Sequence, residues 1–151
     1  MDRKAHDMTT VTTEKRRPII CLDFDGVIHD YKLGWQDGTI YGDVTPGFWE
    51  WAEAAQEHFK LVIYSSRSRT EAGLAQMQRW LLDKWAEHNR ALHPDERRRV
   101  SVMSAWFDFA HEKPPAFLTI DDRCIRFDGD WLGMDPHQLL KYKTWTQRNA
   151  G

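Results

Sequence analysis

The sequence contains few cysteines and no long apolar run. Its 151 residues include two cysteines, Cys21 and Cys124, which lie far apart and lack the paired spacing of a zinc site. We therefore expect both to be buried free thiols in a reducing compartment. No stretch is long and apolar enough to span a bilayer, and the N-terminal residues carry charges and threonines where a secretory signal would need an apolar core. These absences predict a soluble, cytoplasmic protein with no membrane partner.

An excess of charge of one sign is also absent. Lysine and arginine total 21 against 23 aspartates and glutamates, so no global field would recruit nucleic acid or an anionic membrane. The seven histidines are scattered without metal-ligand spacing, and no internal repeat or low-complexity tract is present. Residues 1–17 are polar and without periodicity, which predicts a disordered leader. Residues 18–151 have a length typical of a single domain.

Tryptophan, by contrast, is abundant, with eight copies. These side chains could stack on bases or sugars, but for most of them we predict packing in the core. Apolar residues recur at helical spacing from Phe48 through Trp51 and Ala55 to Phe59, as expected for a buried helix face.

Short apolar runs alternate with helical patterns along the chain. Such alternation predicts a three-layer, Rossmann-like α/β fold, in which helices cover both faces of a central parallel sheet. Strands are predicted at Ile19–Asp23, Leu61–Tyr64 and Phe117–Ile120, and more weakly at Val100–Met103. Helices are predicted from Pro46 to about His58, from the N-cap Thr70 to about Asn89, and from Asp135 to about Trp145.

Polar clusters follow three of the predicted strands. Asp23 and Asp25 stand two positions apart at the end of the first, where both can project to the same side, and Gly26 lets the chain turn away. Two acids aimed at one spot repel each other, so they need a cation or a proton. Parallel sheets bind ligands outside the carboxyl ends of their strands. The other clusters are Ser65-Ser66-Arg67 and Asp121-Asp122-Arg123.

This order of motifs resembles the haloacid dehalogenase (HAD) superfamily. Phosphatases of that superfamily carry Asp-x-Asp-Gly after the first strand, a serine or threonine after the second and an acidic pair after a later one. The matching residues here are Asp23, Asp25, Ser65, Asp121 and Asp122. The three motifs in the correct order are far more specific than any one alone. The second aspartate favours phosphoryl chemistry within the superfamily.

The resemblance implies a Mg²⁺-dependent phosphatase. Asp23 would attack the phosphorus and form an aspartyl-phosphate, and Asp25 would protonate the leaving oxygen and later activate water. The implied Mg²⁺ ligands are the Asp23 side chain, the backbone carbonyl of Asp25 and one of Asp121 or Asp122. The sequence does not choose between the last two. An alternative is a catalytically silent HAD-like module that binds a phosphorylated ligand or partner.

The resemblance also implies phosphate-binding residues. Ser65 would hydrogen-bond the phosphate, although its hydroxyl could instead satisfy the local turn. Arg67 could hold a phosphate with its fork, or pair with an acid. Lys113 matches the family's lysine, but it precedes Asp121 so closely that the intervening strand could place it near the opposite sheet edge. Arg67 or Arg123 would then supply the balancing charge.

Substrate and assembly follow from the same resemblance. The strings Ser65-Ser66-Arg67 and Ile120-Asp121-Asp122-Arg123 are similar to those in the phosphatase domain of polynucleotide kinase phosphatases, which implies a nucleotide or a polynucleotide end as the phosphorylated substrate. The segment Asp30–Pro46 is too short for a large cap domain. Capless members often act on large substrates or borrow a lid from another subunit, which leaves homo-oligomerisation open. Specificity is expected to come from the Tyr31–Tyr41 loop.

Overall fold

The computed structural model describes residues 16–149, so the predicted leader lies outside the described residues except for its last two. Within this range four strands form one sheet: β1 (Ile19–Leu22), β2 (Lys60–Ile63), β3 (Phe107–Phe109) and β4 (Leu118–Ile120). The α-helices are α1 (Phe48–Ala55), α2 (Glu71–Ala91), α3 (Val100–Ser104), α4 (Pro136–Leu139) and α5 (Trp145–Asn149). Short 3₁₀ helices occupy Ser66–Arg69 and Pro94–Glu96.

The sheet is entirely parallel, with strand order β3-β2-β1-β4. Leu22 at the end of β1 aligns with Ile63 of β2 and with Ile120 of β4. β1, β2 and β4 therefore end at the same level, and the polar cluster after each one meets the others at a single edge. The prediction of an α/β protein with a parallel sheet is confirmed.

The hydrophobic core lies against one face of the sheet. Ile20 and Leu22 of β1 and Leu61 and Ile63 of β2 alternate with residues that point away, as the two-residue period of a strand requires. They pack with the apolar sides of α1 and α2. The core residues that α1 and α2 contribute are Phe48, Trp49, Ala52, Ala55, Met77, Trp80, Leu81 and Trp85.

The longest helix begins as predicted. The Thr70 hydroxyl accepts a hydrogen bond from the Gly73 N–H at 3.0 Å, and α2 then continues to Ala91. The buried face of α1 differs from the prediction, since Trp49 is buried and Trp51 is exposed. Between Phe48 and Ala55 the buried positions are Trp49 and Ala52, which lie on either side of Trp51.

Two predicted elements are wrong. Val100–Met103 was predicted as a strand but belongs to helix α3, because Val100 and Met103 are spaced as one helical turn and only Met103 is buried. The edge strand β3 comes later and pairs with β2 through Leu61 and Phe107. The helix predicted from Asp135 to about Trp145 is instead two short helices, α4 and α5, with an irregular segment between them.

The cysteine prediction holds in part. Both thiols are free, and Cys21 is buried, but Cys124 is exposed because it lies in the irregular segment after β4. None of the helices within residues 16–149 is both long enough and apolar enough to cross a bilayer.

Candidate active site

Three carboxylates converge where β1 and β4 end. The Asp23 N–H donates to the Ile120 carbonyl at 2.9 Å, which extends the pairing of the two strands by one residue. Asp121 and Asp122 follow directly, so their side chains are brought beside that of Asp23. One carboxylate oxygen from each of the three lies within 4.8 Å of the others. Tertiary pairing of two distant strands therefore builds the predicted acidic cluster.

Gly26 allows Asp122 to approach the first motif. Its φ of +85° is in the left-handed region that favours glycine. A Cβ added at this position would lie 2.2 Å from Oδ2 of Asp122, well inside van der Waals contact. The glycine is thus required twice, once by the turn and once by the carboxylate that packs against it.

The crowding of acids perturbs Asp23. Burial raises its pKa, and the neighbouring carboxylates Asp121 and Asp122 add to the effect, while the hydrogen bond that its Oδ1 accepts from the Phe24 N–H opposes it. The result is a pKa of about 8. At neutral pH and without a cation, Asp23 therefore holds a proton.

Asp25 points to a different set of partners. Its Oδ2 accepts from Nε of Arg67 at 2.8 Å, and its Oδ1 accepts from Nη2 of Arg67 at 3.2 Å. Nδ1 of His29 lies 2.8 Å from the same Oδ1. Burial alone would raise the pKa of Asp25, but the hydrogen bonds from His29 and Arg67, together with the Arg67 charge, hold it below its ordinary value. Asp25 is thus an ionised carboxylate bound by three donors.

His29 connects Asp25 to the following loop. The histidine is fully buried, and its Nε2 accepts a hydrogen bond from the Gly42 N–H at 2.9 Å. Because Nε2 is an acceptor, the proton of the neutral ring is on Nδ1, from which it is donated to Asp25. A Cβ at Gly42 would lie 2.2 Å from the Asp30 carbonyl oxygen and 2.9 Å from Nε2, so only glycine fits here.

The Arg67 guanidinium contacts several parts of the site. Its third nitrogen, Nη1, donates to the Gly38 carbonyl at 2.6 Å, and its Cζ lies 5.1 Å from the ring centroid of Trp35. All three guanidinium nitrogens are therefore bound to protein acceptors. The arginine joins the first motif, the second motif and the 30–46 loop.

Ser65 begins the 3₁₀ turn after β2. Its hydroxyl oxygen accepts from the Arg67 N–H at 3.2 Å, and its own N–H donates to the Ser68 hydroxyl. The hydroxyl thus satisfies the local turn, as the alternative interpretation held. Its O–H hydrogen remains available to an anion, because the turn uses the oxygen only as an acceptor.

The charges of two further cations, Lys113 and Arg123, act on neighbouring side chains. Ala110 N–H donates to the Ile63 carbonyl at the carboxyl end of β2, and Lys113 follows three residues later. Burial raises the pKa of the Cys21 thiol, and the charge of Lys113 opposes that rise. Lys113 therefore lies within electrostatic reach of Cys21. Arg123 acts similarly on the Tyr31 hydroxyl, whose pKa is raised by burial and by Asp25.

The C-terminal segment contributes residues that sequence reasoning missed. Nε1 of Trp145 donates to the Gly26 carbonyl at 2.6 Å, and the Tyr142 hydroxyl donates to the Asp122 carbonyl. Trp145 also lines a cavity of about 390 Å³ that Asp121 and Asp122 border. No sequence pattern signals these contacts, because more than 100 residues separate Trp145 from Gly26.

Comparison with known proteins adds no identification, since no family model, curated protein or solved structure matches the chain.

Proposed function

We propose that the protein is a Mg²⁺-dependent phosphomonoester hydrolase of the HAD type, built on a three-layer, Rossmann-like fold without a large cap domain. The observation that supports this most is the convergence of Asp23, Asp121 and Asp122 within 4.8 Å, beside Asp25, at the carboxyl edge of a parallel sheet. We further propose a cytoplasmic enzyme, with a nucleotide or a polynucleotide end as its phosphorylated substrate.

The acidic cluster fits a hard divalent cation. Three carboxylates at this separation repel one another, and they add to the rise in the pKa of Asp23 that burial causes. Mg²⁺ sites typically have oxygen ligands, of which the protein supplies few and water supplies several. Asp23 and one or both of Asp121 and Asp122 would hold the ion, together with the Asp25 backbone carbonyl that the family resemblance implies. When bound, Mg²⁺ would neutralise these charges and those of a phosphate group.

The proposed reaction has two steps. In the first, an Asp23 oxygen forms a bond to phosphorus, the bond to the leaving oxygen breaks, and that oxygen takes a proton from Asp25. In the second, Asp25 removes a proton from water, the water oxygen bonds to phosphorus, and phosphate and the Asp23 carboxylate are released. Since Asp25 is ionised when bound by Arg67 and His29, it is ready for the second step. Before it can donate a proton in the first step, Asp25 must take up a proton and lose a hydrogen bond from Arg67 or His29.

The cations divide into two roles in this proposal. Arg67 positions Asp25, because its three nitrogens are all engaged. Arg123 and Lys113 balance the phosphate charge, and within residues 16–149 neither side chain forms an ion pair with an acid. The Ser65 O–H would donate to a phosphate oxygen.

Release of phosphate from an aryl phosphate tests this function. We expect turnover that requires Mg²⁺, stops with a chelator, and falls at least a thousandfold in Asp23→Asn, since nucleophile and ligand are lost together. Asp83→Asn, which changes an exposed carboxylate on α2, is the matched control and should retain full activity. A folded protein that binds Mg²⁺ but hydrolyses none of a broad phosphomonoester panel would disprove the proposal.

A second function is favoured by the state of Asp25. A carboxylate that accepts three hydrogen bonds is a poor proton donor, which suits a module that binds a phosphorylated ligand without turnover. Such a module would be stabilised against thermal unfolding by a phosphomonoester plus Mg²⁺, with no phosphate released. Stabilisation accompanied by turnover would exclude it.

A further inference from the structure

Trp35 exposes an aromatic surface beside the candidate active site. Trp35 belongs to the loop between β1 and α1 and is 62% exposed. Part of the ring lies over the Arg67 guanidinium, and its Cη2 and Cζ2 atoms lie 3.6 Å from the point where a Cβ added at Gly38 would stand. An indole usually enters the core or an interface, because it has a large apolar surface to bury.

The loop that carries Trp35 is held on both sides of the indole. Before it, the Tyr41 hydroxyl accepts from the Leu33 N–H and donates to the Gly34 carbonyl, both at 2.9 Å. After it, the Gly38 carbonyl accepts from Arg67. The exposed ring is therefore presented by a backbone that is already ordered, which lowers the entropic cost of binding to it.

The position of the indole restricts what can reach it from the reaction centre. A single guanidinium, that of Arg67, separates the ring from the Asp25 carboxylate. A ligand whose phosphate lies at the acids must therefore span this gap before it stacks. In a sugar phosphate the phosphate is attached to the sugar itself, whereas in a nucleotide the sugar is the spacer between the phosphate and a flat base.

We propose that Trp35 is the specificity-determining residue of the site and stacks on the base next to the scissile phosphate of a nucleotide or of a single-stranded polynucleotide end. The assignment rests on the proposed phosphatase function and adds the group that the enzyme recognises. Stacking tolerates any base, since every base has a π face. Duplex ends with a paired terminal base bind less well, because that base must first leave the stack.

The test compares a substrate that has a base with one that lacks it. A nucleoside monophosphate and ribose 5-phosphate are each assayed with the wild type and with Trp35→Ala, Trp35→Phe and Trp131→Ala. We expect Trp35→Ala to lower kcat/KM for the nucleotide roughly tenfold and for ribose 5-phosphate less than twofold. Trp35→Phe retains most of the nucleotide preference because it keeps an aromatic face. Trp131 is the matched control, since it is 74% exposed and its ring packs at a tilt against that of Phe127.

Each other outcome overturns the assignment. An equal loss on both substrates means that Trp35 only shields the Arg67 and Asp25 pair, and no loss on either means that the ring is not used. If the wild type hydrolyses neither compound, the broad phosphomonoester panel decides whether the phosphatase function fails, and calorimetric binding of both ligands in Mg²⁺ tests the stacking alone. Tighter binding of the nucleotide that Trp35→Ala removes supports stacking without catalysis, and equal or no binding refutes it.

Discussion

Arg67 and Asp25 form a forked ion pair between the ends of two neighbouring strands, with Nε 2.8 Å from Oδ2 and Nη2 3.2 Å from Oδ1. The Arg67 side chain is only 4% exposed. The pair joins the segment after β1 to the segment after β2, so the geometry of the Asp25 carboxylate depends on an arginine 42 residues away.

Removing the arginine should leave a largely buried carboxylate with one donor. We expect Arg67→Met to lower the free energy of unfolding by about 3 kcal/mol, as is typical when one partner of a buried pair is lost. Urea unfolding measures the change. Arg69→Met, at an exposed position of the same 3₁₀ turn, is the control and should change stability by less than about 0.5 kcal/mol. Equal stabilities of the two variants would contradict the role assigned to the ion pair.

The pKa of Asp25 gives a pH dependence to the same pair. The folded-state pKa is below the unfolded value, so its contribution to stability is present above about pH 4 and is lost as the pH falls further. In Arg67→Met this acid-dependent loss should shrink. Unfolding free energies of the wild type and of Arg67→Met, measured at several pH values between pH 3 and pH 6, would show the smaller loss.

Substitution of Gly26 separates backbone strain from contact with Asp122. Gly26→Ala places a Cβ against the Asp122 carboxylate, whereas Gly47→Ala has nearly the same φ, +82°, and no atom within 4 Å. Both should lose about 1–2 kcal/mol from the left-handed conformation. Only Gly26→Ala should weaken Mg²⁺ binding, by at least tenfold, in a calorimetric titration. Unchanged Mg²⁺ affinity in Gly26→Ala would show that Asp122 is not a ligand.

Protonation of Asp23 should couple Mg²⁺ binding to pH. Since its pKa is about 8, the cation must displace a proton at pH 7, and the affinity should rise with pH until about pH 8. Calorimetry in buffers of different ionisation enthalpy should detect the release of up to one proton. In Asp23→Asn this release should disappear. Affinity that is constant between pH 6 and pH 8 would contradict the raised pKa.

The same proton affects stability in the absence of metal. Between about pH 4 and pH 8 the folded chain retains a proton on Asp23 that the unfolded chain has lost. The free energy of unfolding contributed by this group therefore falls as the pH rises through that window. Saturating Mg²⁺ should abolish this trend, because the folded chain then carries the cation in place of the proton.

We expect His29 to stabilise the fold through its two hydrogen bonds rather than through the packing of its ring. His29→Phe keeps an aromatic side chain among Phe24, Tyr31, Tyr41 and Trp80, but leaves the Gly42 N–H without its acceptor and Asp25 without one donor. We expect a loss of about 3 kcal/mol in unfolding free energy. The exposed His58→Phe is the control, and a similar loss in both variants would show that hydrogen bonding at His29 has no special weight.

Most of the strand positions could be read from the sequence, because short apolar runs and the polar clusters that end them are local signals. β1, β2, β4 and the helix after Thr70 are present close to where they were predicted. Val100–Met103 was misread because a short apolar run has no period that distinguishes a strand from a helical turn. The exposed Cys124 shows the same limit, since burial depends on what packs over a residue.

The sequence alone identifies four acids at strand ends: Asp23, Asp25, Asp121 and Asp122. The apolar runs before them are local patterns, and in a parallel sheet the carboxyl ends of the strands lie at one edge. Their division into two groups came only from tertiary structure. Pairing of β1 with β4 brings Asp23 to the acidic pair, and pairing of β1 with β2 brings Asp25 to Arg67. Which charges meet depends on which strands are neighbours, and that is decided by packing over the whole sheet.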